Sequence, residues 1–587
     1  FVKHQGTKYE VELDPGMQGE VFKLQLYSLT GVPPERQKIL VKGGQLKDDT
    51  DLSKIGAKPG QTFMMMGTRG EVDSELQRPK EAIKFVEDMT EAEAAEQVGA
   101  IPAGLQNLGN TCYLNSTLQT LRAVPELQEY LATYQASTSN SDMLRAQNMA
   151  GLVNLVASSD LVLCLRDLFQ QMSKTQQGFP PHVFLHTLRT IFPQFAERAK
   201  SGNGYAQQDA EEAWSQIIQQ LREKLKIEFG GRSDVSFVDT FMAGCFASVI
   251  ECDEAVAKEA GEEVTLANET FLKLDCHIDA SINHLRDGIL AGLEQKLDKY
   301  SSVLGRDTTY TKKSKISKLP KYLTVHFVRF FWKRESQKKV KIMRRVSFPE
   351  ELDAVEFCTD ELQKAMIPVR DKVRDIRKDE EDMERVRKRQ KRIHEQRSAQ
   401  EKSSATESSA AASTLEVTAD VQKRAEGSEI GSLNGSDRKK VQTAMGQSDN
   451  AMGDVVYKTD AEVEAERASA ILAAKKELHL MINPEAFPDE AANRSGLYEL
   501  RGIVTHQGAS ADSGHYTSYV KKQGPIDPQT GQRGEEDGKW WWFNDDKVSE
   551  VEAEKINTLA GGGESHSALI LLYRAIQLPD AAGIEQK

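Results

Sequence analysis

The chain contains 587 residues, too many for one ordinary hydrophobic core, and we therefore expect several domains. Its formal net charge of −13 argues against nucleic acid or an anionic membrane as the main partner. Nowhere does an apolar run approach the roughly 18 residues that a membrane span requires. The composition predicts a protein of the cytoplasm and nucleus that acts on neither nucleic acid nor membranes.

Cysteines are few for a chain of this length, and none of them forms a C-x-x-C pair. The six lie at Cys112, Cys164, Cys245, Cys252, Cys276 and Cys358. This spacing indicates neither a zinc ribbon nor a disulfide framework, and it fits a reducing compartment.

Residues 1–68 have the pattern of a small α/β unit. The stretch KYEVEL alternates like a strand, and GEVFKLQLYSLTG has helical spacing that ends at Gly31. The stretch QKILVKGGQL predicts a strand, a glycine turn and a second strand, and QTFMMMG predicts a closing strand. Residues 69–100 are polar and acidic, which is typical of a linker.

Residues 101–577 predict one larger domain, helical in its first part and rich in strands from about residue 235. An insertion at 370–460 interrupts this domain. Its first part is nearly all charged, with an apolar stripe too sparse to bury a helix well, and its second part is rich in small polar residues. We expect a solvated helix or disorder there, and a short tail at 578–587.

The stretch GLQNLGNTCYLNS predicts a thiol at the start of a helix. Gly109 and Asn110 interrupt regular structure just before Cys112, and Leu114, Leu118 and Leu121 then recur on one helical face. Backbone N–H groups and the helix dipole at such a position favour the reactive thiolate. The alternative is that Cys112 is only a small buried hydrophobic residue.

A cysteine nucleophile needs a base and a third group that orients the base. His515 in SADSGHYTSYV is a candidate base because small residues before it leave room for a chain to pass. Asn544, Asp545 and Asp546 in WWWFNDDKVSE could each accept a hydrogen bond from the imidazole Nδ1–H. The alternative is an ordinary strand histidine and an Asx turn.

Six stretches occur in an order that resembles the ubiquitin-specific proteases, which are papain-like cysteine peptidases. They are GLQNLGNTCYLNSTLQTLR, GNGYAQQDAEEAW, LPKYLTVHFVRF, YELRGIVTHQG, SGHYTSYV and KWWWFNDDKVS. The resemblance implies an α+β fold: an N-terminal β-grasp ubiquitin-like domain, then a papain-like protease domain with thumb, palm and fingers that carries a disordered insertion.

Carried over to this sequence, the resemblance makes Cys112 the nucleophile and His515 the general base. Asn107 would donate its side-chain amide to the oxyanion, and Asn544 would orient the histidine. Asp545 is an alternative orienting residue, and the sequence does not rank the two.

Recognition of the ubiquitin tail is implied at four further positions. Asp209 and Glu212 in QQDAEE would bind the basic tail, and Gly514 and Tyr516 would line the tunnel that leads to Cys112. For the two carboxylates, a solvated acidic helix face is the alternative. Many family members also bind zinc through two C-x-x-C pairs, whereas Cys245, Cys252 and Cys276 lack that spacing, so we expect no metal and no other cofactor.

The stretch PPERQKILVKGGQLKDD is similar to part of ubiquitin, and residues 1–68 therefore resemble a ubiquitin-like domain. Leu40 and Met66 fall at positions of the ubiquitin recognition patch, although Met66 could equally be strand core. The whole arrangement resembles the proteasome-associated members of the family. In those, the ubiquitin-like domain docks on the regulatory particle of the 26S proteasome.

The same resemblance implies that two loops block the free enzyme, at 330–338 and 507–513. Their candidate residues are Phe330, Phe331, Trp332, Ser510 and Ser513. We therefore expect a deubiquitinase, monomeric when free and autoinhibited until it docks on the proteasome. The alternative is a mainly non-catalytic ubiquitin-binding regulator of the proteasome, which would not need the full catalytic set.

Overall fold

The computed structural model describes most of the chain in several stretches. These are residues 1–41, 44–58, 60–67, 100–135, 160–199, 204–333, 338–411, 460–482, 487, 489–510, 513–524, 534 and 536–578. The chain divides into two compact units, Phe1–Met89 and Thr90–Lys587. Among the described helices, none combines the length and apolar character needed to cross a membrane. The predicted linker and tail lie almost wholly outside the described residues.

The first unit is a five-stranded sheet with one helix packed on it. Its elements are β1 (Val2–His4), β2 (Thr7–Tyr9), α1 (Gly19–Thr30), β3 (Lys38–Val41), β4 (Gly44–Gln45) and β5 (Phe63–Met66). The strand order is β2-β1-β5-β3-β4, and the parallel pair β1–β5 lies at its centre. This is the β-grasp arrangement that the sequence predicts.

Helix α1 ends where the sequence predicts it. Gly31 has a φ of 69°, and its N–H donates to the carbonyl of Tyr27, as in a left-handed helix cap. Phe22 and Leu26 are buried against the sheet, whereas Leu24 is 50% exposed. Only part of the predicted apolar spacing therefore faces the core.

The second unit begins with a helical layer. Its elements are α2 (Cys112–Leu121), α3 (Pro125–Thr133), α4 (Leu161–Met172), α5 (His182–Ile191), α6 (Ala210–Lys224), the hairpin β6 (Lys226–Phe229) and β7 (Arg232–Ser236), and α7 (Phe237–Phe241). All ten residues of α2 are buried. This central helix is thus fixed on every side, which suits an element that carries a reactive group.

A four-stranded antiparallel sheet follows in the order β11-β12-β8-β9. The elements of this part are β8 (Gly244–Cys252), α8 (Ala255–Glu259), β9 (Thr265–Phe271), β10 (Leu274–Cys276), α9 (Leu285–Leu293), β11 (Glu294–Ser301) and β12 (Arg306–Lys318). Seven of the eight residues of β11 are exposed, so this sheet presents much of its outer edge to solvent.

A ten-stranded sheet forms the floor of the second unit, with β10-β13-β21-β17-β18-β19-β20 as its main path. Its remaining elements are β13 (Tyr322–Phe327), β14 (Phe330–Lys333), β15 (Lys338–Lys341), β16 (Glu351–Asp353), β17 (Leu497–Ser510), β18 (Ser513–Lys521), β19 (Trp540–Asn544), β20 (Lys547–Val551) and β21 (Ser567–Ala575). Helix α2 packs on β18 and β17. The helical layer and the sheet therefore meet along α2.

Two helices at the edges of the insertion pair with each other. They are α10 (Asp360–Ala411) and α11 (Asp460–Met481), and the short α12 (Glu554–Asn557) follows near the C-terminus. Val373 and Ile376 of α10 are buried with Ile471 and Leu478 of α11. The start of the apolar stripe, which we expected to be too sparse to bury a helix, is therefore buried because a second helix covers it, whereas Val386 further along α10 is 44% exposed. Residues 412–459 lie outside the described part of the chain.

This helix pair gives a stability prediction. Leu478 is 1% exposed, whereas Leu480 on the same helix is 84% exposed. We expect Leu478→Ala to lower the free energy of unfolding by about 3 kcal/mol, since it removes buried methyl groups and leaves a cavity. Leu480→Ala is the matched control and should change it by less than about 0.5 kcal/mol. Urea unfolding of both variants makes the comparison, and equal effects would contradict the packing of α10 on α11.

Candidate active site

Cys112 is the first residue of α2, and a tight turn delivers the chain to it. Gly109 and Asn110 both have positive φ, at 93° and 55°, which reverses the backbone just before the helix. The Cys112 side chain is only 2% exposed. The structure therefore places the thiol at the helix start predicted from the sequence, but beneath the surface.

Burial governs the protonation of this thiol. It raises the pKa of Cys112 to about 11, since a thiolate loses its hydration there. Backbone N–H groups of Tyr516, Tyr113 and Cys112 itself act in the opposite direction, and the charge of Asp545 adds to the rise. The N–H groups at the helix start favour the thiolate as expected, but desolvation outweighs them, so the pKa is raised overall.

His515 lies one residue before Tyr516, whose backbone N–H hydrogen-bonds the Cys112 sulfur. The imidazole Nε2 lies 2.6 Å from Oδ1 of Asn544 on the neighbouring strand β19. Because an amide oxygen only accepts, Nε2 carries the proton and Nδ1 keeps its lone pair. The bond expected from Nδ1–H is therefore made by the other ring nitrogen, Nε2.

Asp545 makes a different contact from the one expected. Its Oδ2 is 3.9 Å from His515 Nε2, too far for a hydrogen bond. Instead, Oδ2 accepts from Nδ2 of Asn107 at 3.0 Å, and Oδ1 accepts from Nδ2 of Asn115 at 2.8 Å. Asp545 therefore fixes the segment that carries Cys112, while Asn544 contacts the histidine.

The side chain of Asn107 organises its own loop. Its Oδ1 accepts from the backbone N–H groups of Gly109 and Thr111, at 3.0 and 3.2 Å. Its Nδ2 carries two hydrogens, and one of them is donated in the hydrogen bond to Asp545. The second proton remains for another acceptor, which is what an oxyanion donor requires.

Two glycines allow the turn after β19 to approach this loop. A Cβ on Gly104 would lie 2.4 Å from the carbonyl oxygen of Asp546, and one on Gly178 would lie 2.7 Å from the Asp546 Cβ. The Leu105 N–H also donates to the Asp545 carbonyl at 3.0 Å. An open cavity of about 420 Å³ lies alongside, lined by Gln106, Asn107, Asn544, Asp545, Asp546 and Lys547.

The predicted tail-binding carboxylates lie at the start of α6. Asp209 caps the helix and accepts from the N–H of Glu211 at 3.0 Å. Burial raises the pKa of both Asp209 and Glu212, and the nearby Lys339 of β15 lowers it in part. Glu211, in contrast, is held by Lys273 at 2.5 Å. Asp209 and Glu212 are therefore the members of this cluster that would gain most from an added cation.

Gly514 and Tyr516 flank His515 on β18 in different ways. Gly514 has a φ of 127°, and a Cβ there would lie 2.2 Å from the Gln507 carbonyl oxygen. Only glycine fits this position. The Tyr516 ring is 1% exposed and packs edge-on against His506, with 4.7 Å between ring centroids. Tyr516 thus contributes its backbone, and not an exposed ring, to the surface beside Cys112.

The two predicted blocking loops lie next to each other's flanking strands, and each contacts a residue just outside the other loop. Ser510 Oγ donates to the Lys339 carbonyl at 2.8 Å, and Ser510 pairs with Val340 and Ser513 in the sheet. Phe330 packs edge-on against His506, with centroids 5.2 Å apart, and Phe331 is 46% exposed. Trp332 lies in β14, but its side chain is outside the described part of the chain, as are residues 334–337 and 511–512.

Leu40 and Met66 lie on the outer face of the first unit. They are 45% and 50% exposed, and Met64, 55% exposed, pairs with Leu40 across β3 and β5. The alternative that Met66 belongs to the strand core does not hold. Together, Leu40, Met64 and Met66 form an exposed apolar patch, which we call the β3–β5 patch.

Several residues that shape the site were not predicted from the sequence. Asn115 was visible in the YLNS stretch, but its bond to Asp545 spans 430 positions and has no local signal. Gly104 and Gly178 look like ordinary turn glycines, and Lys339 looks like one of many charged residues. The described cysteines are all free thiols, and no group of three or more metal-binding side chains comes together among the described residues.

Comparison with known proteins identifies related chains over nearly the full length. The model of the ubiquitin carboxyl-terminal hydrolase family matches residues 103–573, and that of the ubiquitin family matches residues 1–70. Ubiquitin carboxyl-terminal hydrolase 6 of Schizosaccharomyces pombe is 41% identical, with 98% of each chain covered. Ubiquitin carboxyl-terminal hydrolase 7 of Arabidopsis thaliana is 35% identical over 98% of both chains. Ubiquitin carboxyl-terminal hydrolase 14 of Caenorhabditis elegans is 30% identical over 98% of this chain and 92% of its own.

The close approach at Gly104 gives a prediction for the site. We expect Gly104→Ala to lower the rate of the catalysed reaction about tenfold or more, since the added methyl group displaces the Asn544–Asp546 turn. Gly563→Ala is the control, because a Cβ there meets nothing within 4 Å. Cleavage of a ubiquitin C-terminal fluorogenic reporter measures the effect, with circular dichroism to confirm folding. Full activity in Gly104→Ala would show that the turn can shift without harm.

Proposed function

This chain belongs to the ubiquitin carboxyl-terminal hydrolase family and is a ubiquitin-specific cysteine protease, and we propose that it removes ubiquitin from conjugates held at the proteasome. The observation that carries the proposed chemistry is the arrangement of Cys112, His515 and Asn544 across α2, β18 and β19. The ubiquitin-like unit with its exposed β3–β5 patch supports the location.

In the proposed reaction, the Nδ1 lone pair of His515 takes the proton of the Cys112 thiol. The sulfur then attacks the carbonyl carbon of the last ubiquitin glycine, and the Asn107 amide donates to the resulting oxyanion. His515 returns the proton to the departing amine, which leaves a thioester. Water, deprotonated by His515, then hydrolyses the thioester and regenerates the thiol. The orienting bond from Asn544 holds the imidazole for both steps.

We assign the approach of the ubiquitin tail to Asp209 and Glu212. Both carboxyl groups are partly buried, and their raised pKa values mean that an added cation would stabilise their ionised forms. Guanidinium groups of a basic tail meet this need through charge-assisted hydrogen bonds. Gly514 lets β17 and β18 approach closely beside the proposed path of the tail, since a Cβ there would lie 2.2 Å from the Gln507 carbonyl oxygen.

Autoinhibition is the second part of the proposal. The hairpin β14–β15 and the end of β17 are hydrogen-bonded through Ser510 and Lys339. Lys339 also acts electrostatically on Asp209 and Glu212, the groups that a basic tail would need. The protonated, buried thiol of Cys112 fits a resting state. We propose that docking on the regulatory particle, through Leu40 and Met66 of the β3–β5 patch, releases this hairpin.

The remaining assignments follow from this proposal. We assign residues 1–68 to the ubiquitin-like domain, 69–100 to a linker, 101–577 to the catalytic domain and 578–587 to a tail. A protein that serves the proteasome would act in the cytoplasm and nucleus. We propose that it is monomeric when free.

A ubiquitin probe with an electrophilic C-terminus tests the chemistry and the docking together. We expect labelling at Cys112 to rise at least about tenfold when purified proteasome is added, and Cys112→Ala to abolish it. Labelling that persists in Cys112→Ala would contradict the nucleophile. Equal labelling with and without proteasome would contradict the proposed autoinhibition, but it would still support the proposed enzymatic activity. Absent labelling despite ubiquitin binding would favour a non-catalytic regulator.

Docking has its own matched pair of variants. Leu40→Ser should abolish the rise in labelling without changing the rate of the free enzyme, because Leu40 is 45% exposed and lies outside the catalytic unit. Leu24→Ser changes an equally exposed leucine on α1 and should keep the rise. Loss of the rise in both variants would mean that the β3–β5 patch is not the docking surface.

The tail-binding assignment predicts a change in KM. We expect Asp209→Asn and Glu212→Gln to raise KM for the ubiquitin reporter about tenfold with little change in kcat, since a charged contact to bound substrate is lost. The assay includes saturating proteasome. Glu223→Gln, the same change at an exposed position of α6, is the control. An unchanged KM in both Asp209→Asn and Glu212→Gln would leave these carboxylates as part of a solvated helix face.

A further inference from the structure

Asn110, two positions before Cys112, has a backbone conformation that residues with a side chain rarely adopt. Its φ is 55°, in the left-handed region, where glycine carries no steric cost and asparagine a smaller one than most residues. A position that needed only the turn would be served best by glycine, as at Gly109. We therefore expect the Asn110 side chain to make a specific contact in addition to permitting the turn.

That side chain bridges two segments of the site. The Asn110 Nδ2 donates to the backbone carbonyl of Tyr205 at 3.0 Å. Tyr205 lies four positions before Asp209, the N-cap of α6. One hydrogen bond therefore joins the loop that delivers the nucleophile to the segment that ends in a tail-binding carboxylate.

Tyr205 is itself firmly held. The guanidinium carbons of Arg189 and Arg198 lie 3.7 and 4.6 Å from the centroid of its ring, within the range of a cation–π interaction. Arg198 also pairs with Tyr205 through the backbone, and Arg189 Nε donates to the Phe195 carbonyl at 3.2 Å. The acceptor for the Asn110 amide is thus a fixed point of the helical layer.

The loop before Cys112 is rigid enough for the hydrogen bond between Asn110 and Tyr205 to affect the position of Cys112. The Asn107 side chain closes it internally through the N–H groups of Gly109 and Thr111, and Thr111 Oγ1 accepts from the Leu108 N–H at 2.9 Å. A displacement at Asn110 therefore moves the Asn107 amide and the start of α2 together.

We propose that Asn110 is a positioning residue for ubiquitin cleavage: its amide keeps the Cys112 loop in register with the Tyr205–Asp209 segment. In that register, the sulfur meets the carbonyl carbon of a tail that is held by Asp209. This inference rests on the proposed function, since it takes Cys112 as the nucleophile and Asp209 as a tail ligand.

Asn110→Gly is the deciding variant, because it keeps the left-handed turn and removes only the amide. We expect kcat for the ubiquitin reporter to fall about tenfold with KM within about twofold of wild type, the result of a misplaced nucleophile. We also expect iodoacetamide to alkylate the buried Cys112 several-fold faster, since the loop that leads directly into it is no longer held to Tyr205. Asn110→Asp keeps the shape, replaces the donor with an acceptor, and should lose at least as much activity.

Two controls separate a local effect from general loosening. Asp234 is an exposed residue with a φ of 63° in β7, and Asp234→Gly should leave both measurements unchanged. The buried Cys276 and Cys358 serve as internal references, with alkylation at each site read by mass spectrometry.

The outcomes are distinct. Wild-type kcat and wild-type alkylation of Cys112 in Asn110→Gly would overturn the proposal, since Asn110 would then be a turn residue only. Equal acceleration at Cys112, Cys276 and Cys358 would also overturn it. The kcat and KM assays include saturating proteasome. If the wild-type chain fails to cleave ubiquitin even then, the proposed function fails, and alkylation still decides: selective acceleration at Cys112 supports the hydrogen bond from Asn110 to Tyr205 as a positioning contact, and an unchanged rate overturns it.

Discussion

Both carboxylate oxygens of Asp545 are taken by side-chain amides of the segment that carries the thiol, and the rest of the site depends on this pair of bonds. Oδ1 accepts from Asn115 within α2, and Oδ2 accepts from Asn107 in the loop before it. Hydrogen bonds to an ionised acceptor are stronger than neutral ones, and the Asp545 side chain is only 11% exposed. A left-handed backbone at Asp545 aims the carboxylate back toward α2. The turn after β19 thereby holds the sheet and the helical layer in one geometry.

The same carboxylate affects the two members of the proposed proton transfer, Cys112 and His515, in opposite ways. Its negative charge raises the pKa of Cys112, which disfavours the thiolate. It also lies 3.9 Å from His515 Nε2, close enough for its charge to attract an imidazolium that forms during the reaction. The carboxylate therefore opposes the departure of the proton from sulfur and favours its arrival at nitrogen. Desolvation of the thiol is then the main resistance to ionisation, and it depends on how closely the surrounding loops cover Cys112.

Local sequence predicted the features that local physics determines. The turn at Gly109 and Asn110 and the end of α1 at Gly31 follow from backbone conformations that few residue types favour. The contacts of Asp545 could not be foreseen, because nothing near Asn107 or Asn115 indicates a partner more than 400 positions away. Burial of Val373 and Ile376 was missed for the same reason, since the helix that covers them lies beyond the insertion. The pKa of Cys112 depends on the completed fold, and a helix start alone gives the opposite sign.

The order of strands in the large sheet has a consequence for biosynthesis. Strand β21 is the last element among the described residues, yet it lies between β13 and β17 at the middle of the sheet. A chain emerging from the ribosome, N-terminus first, exposes the thiol-bearing helix long before His515 and β21 are available. Until the final strand inserts, the sheet on which the helix packs has a gap between β13 and β17. A chain that terminates before His515 also lacks the proposed base, and it would carry the thiol without the residue expected to activate it.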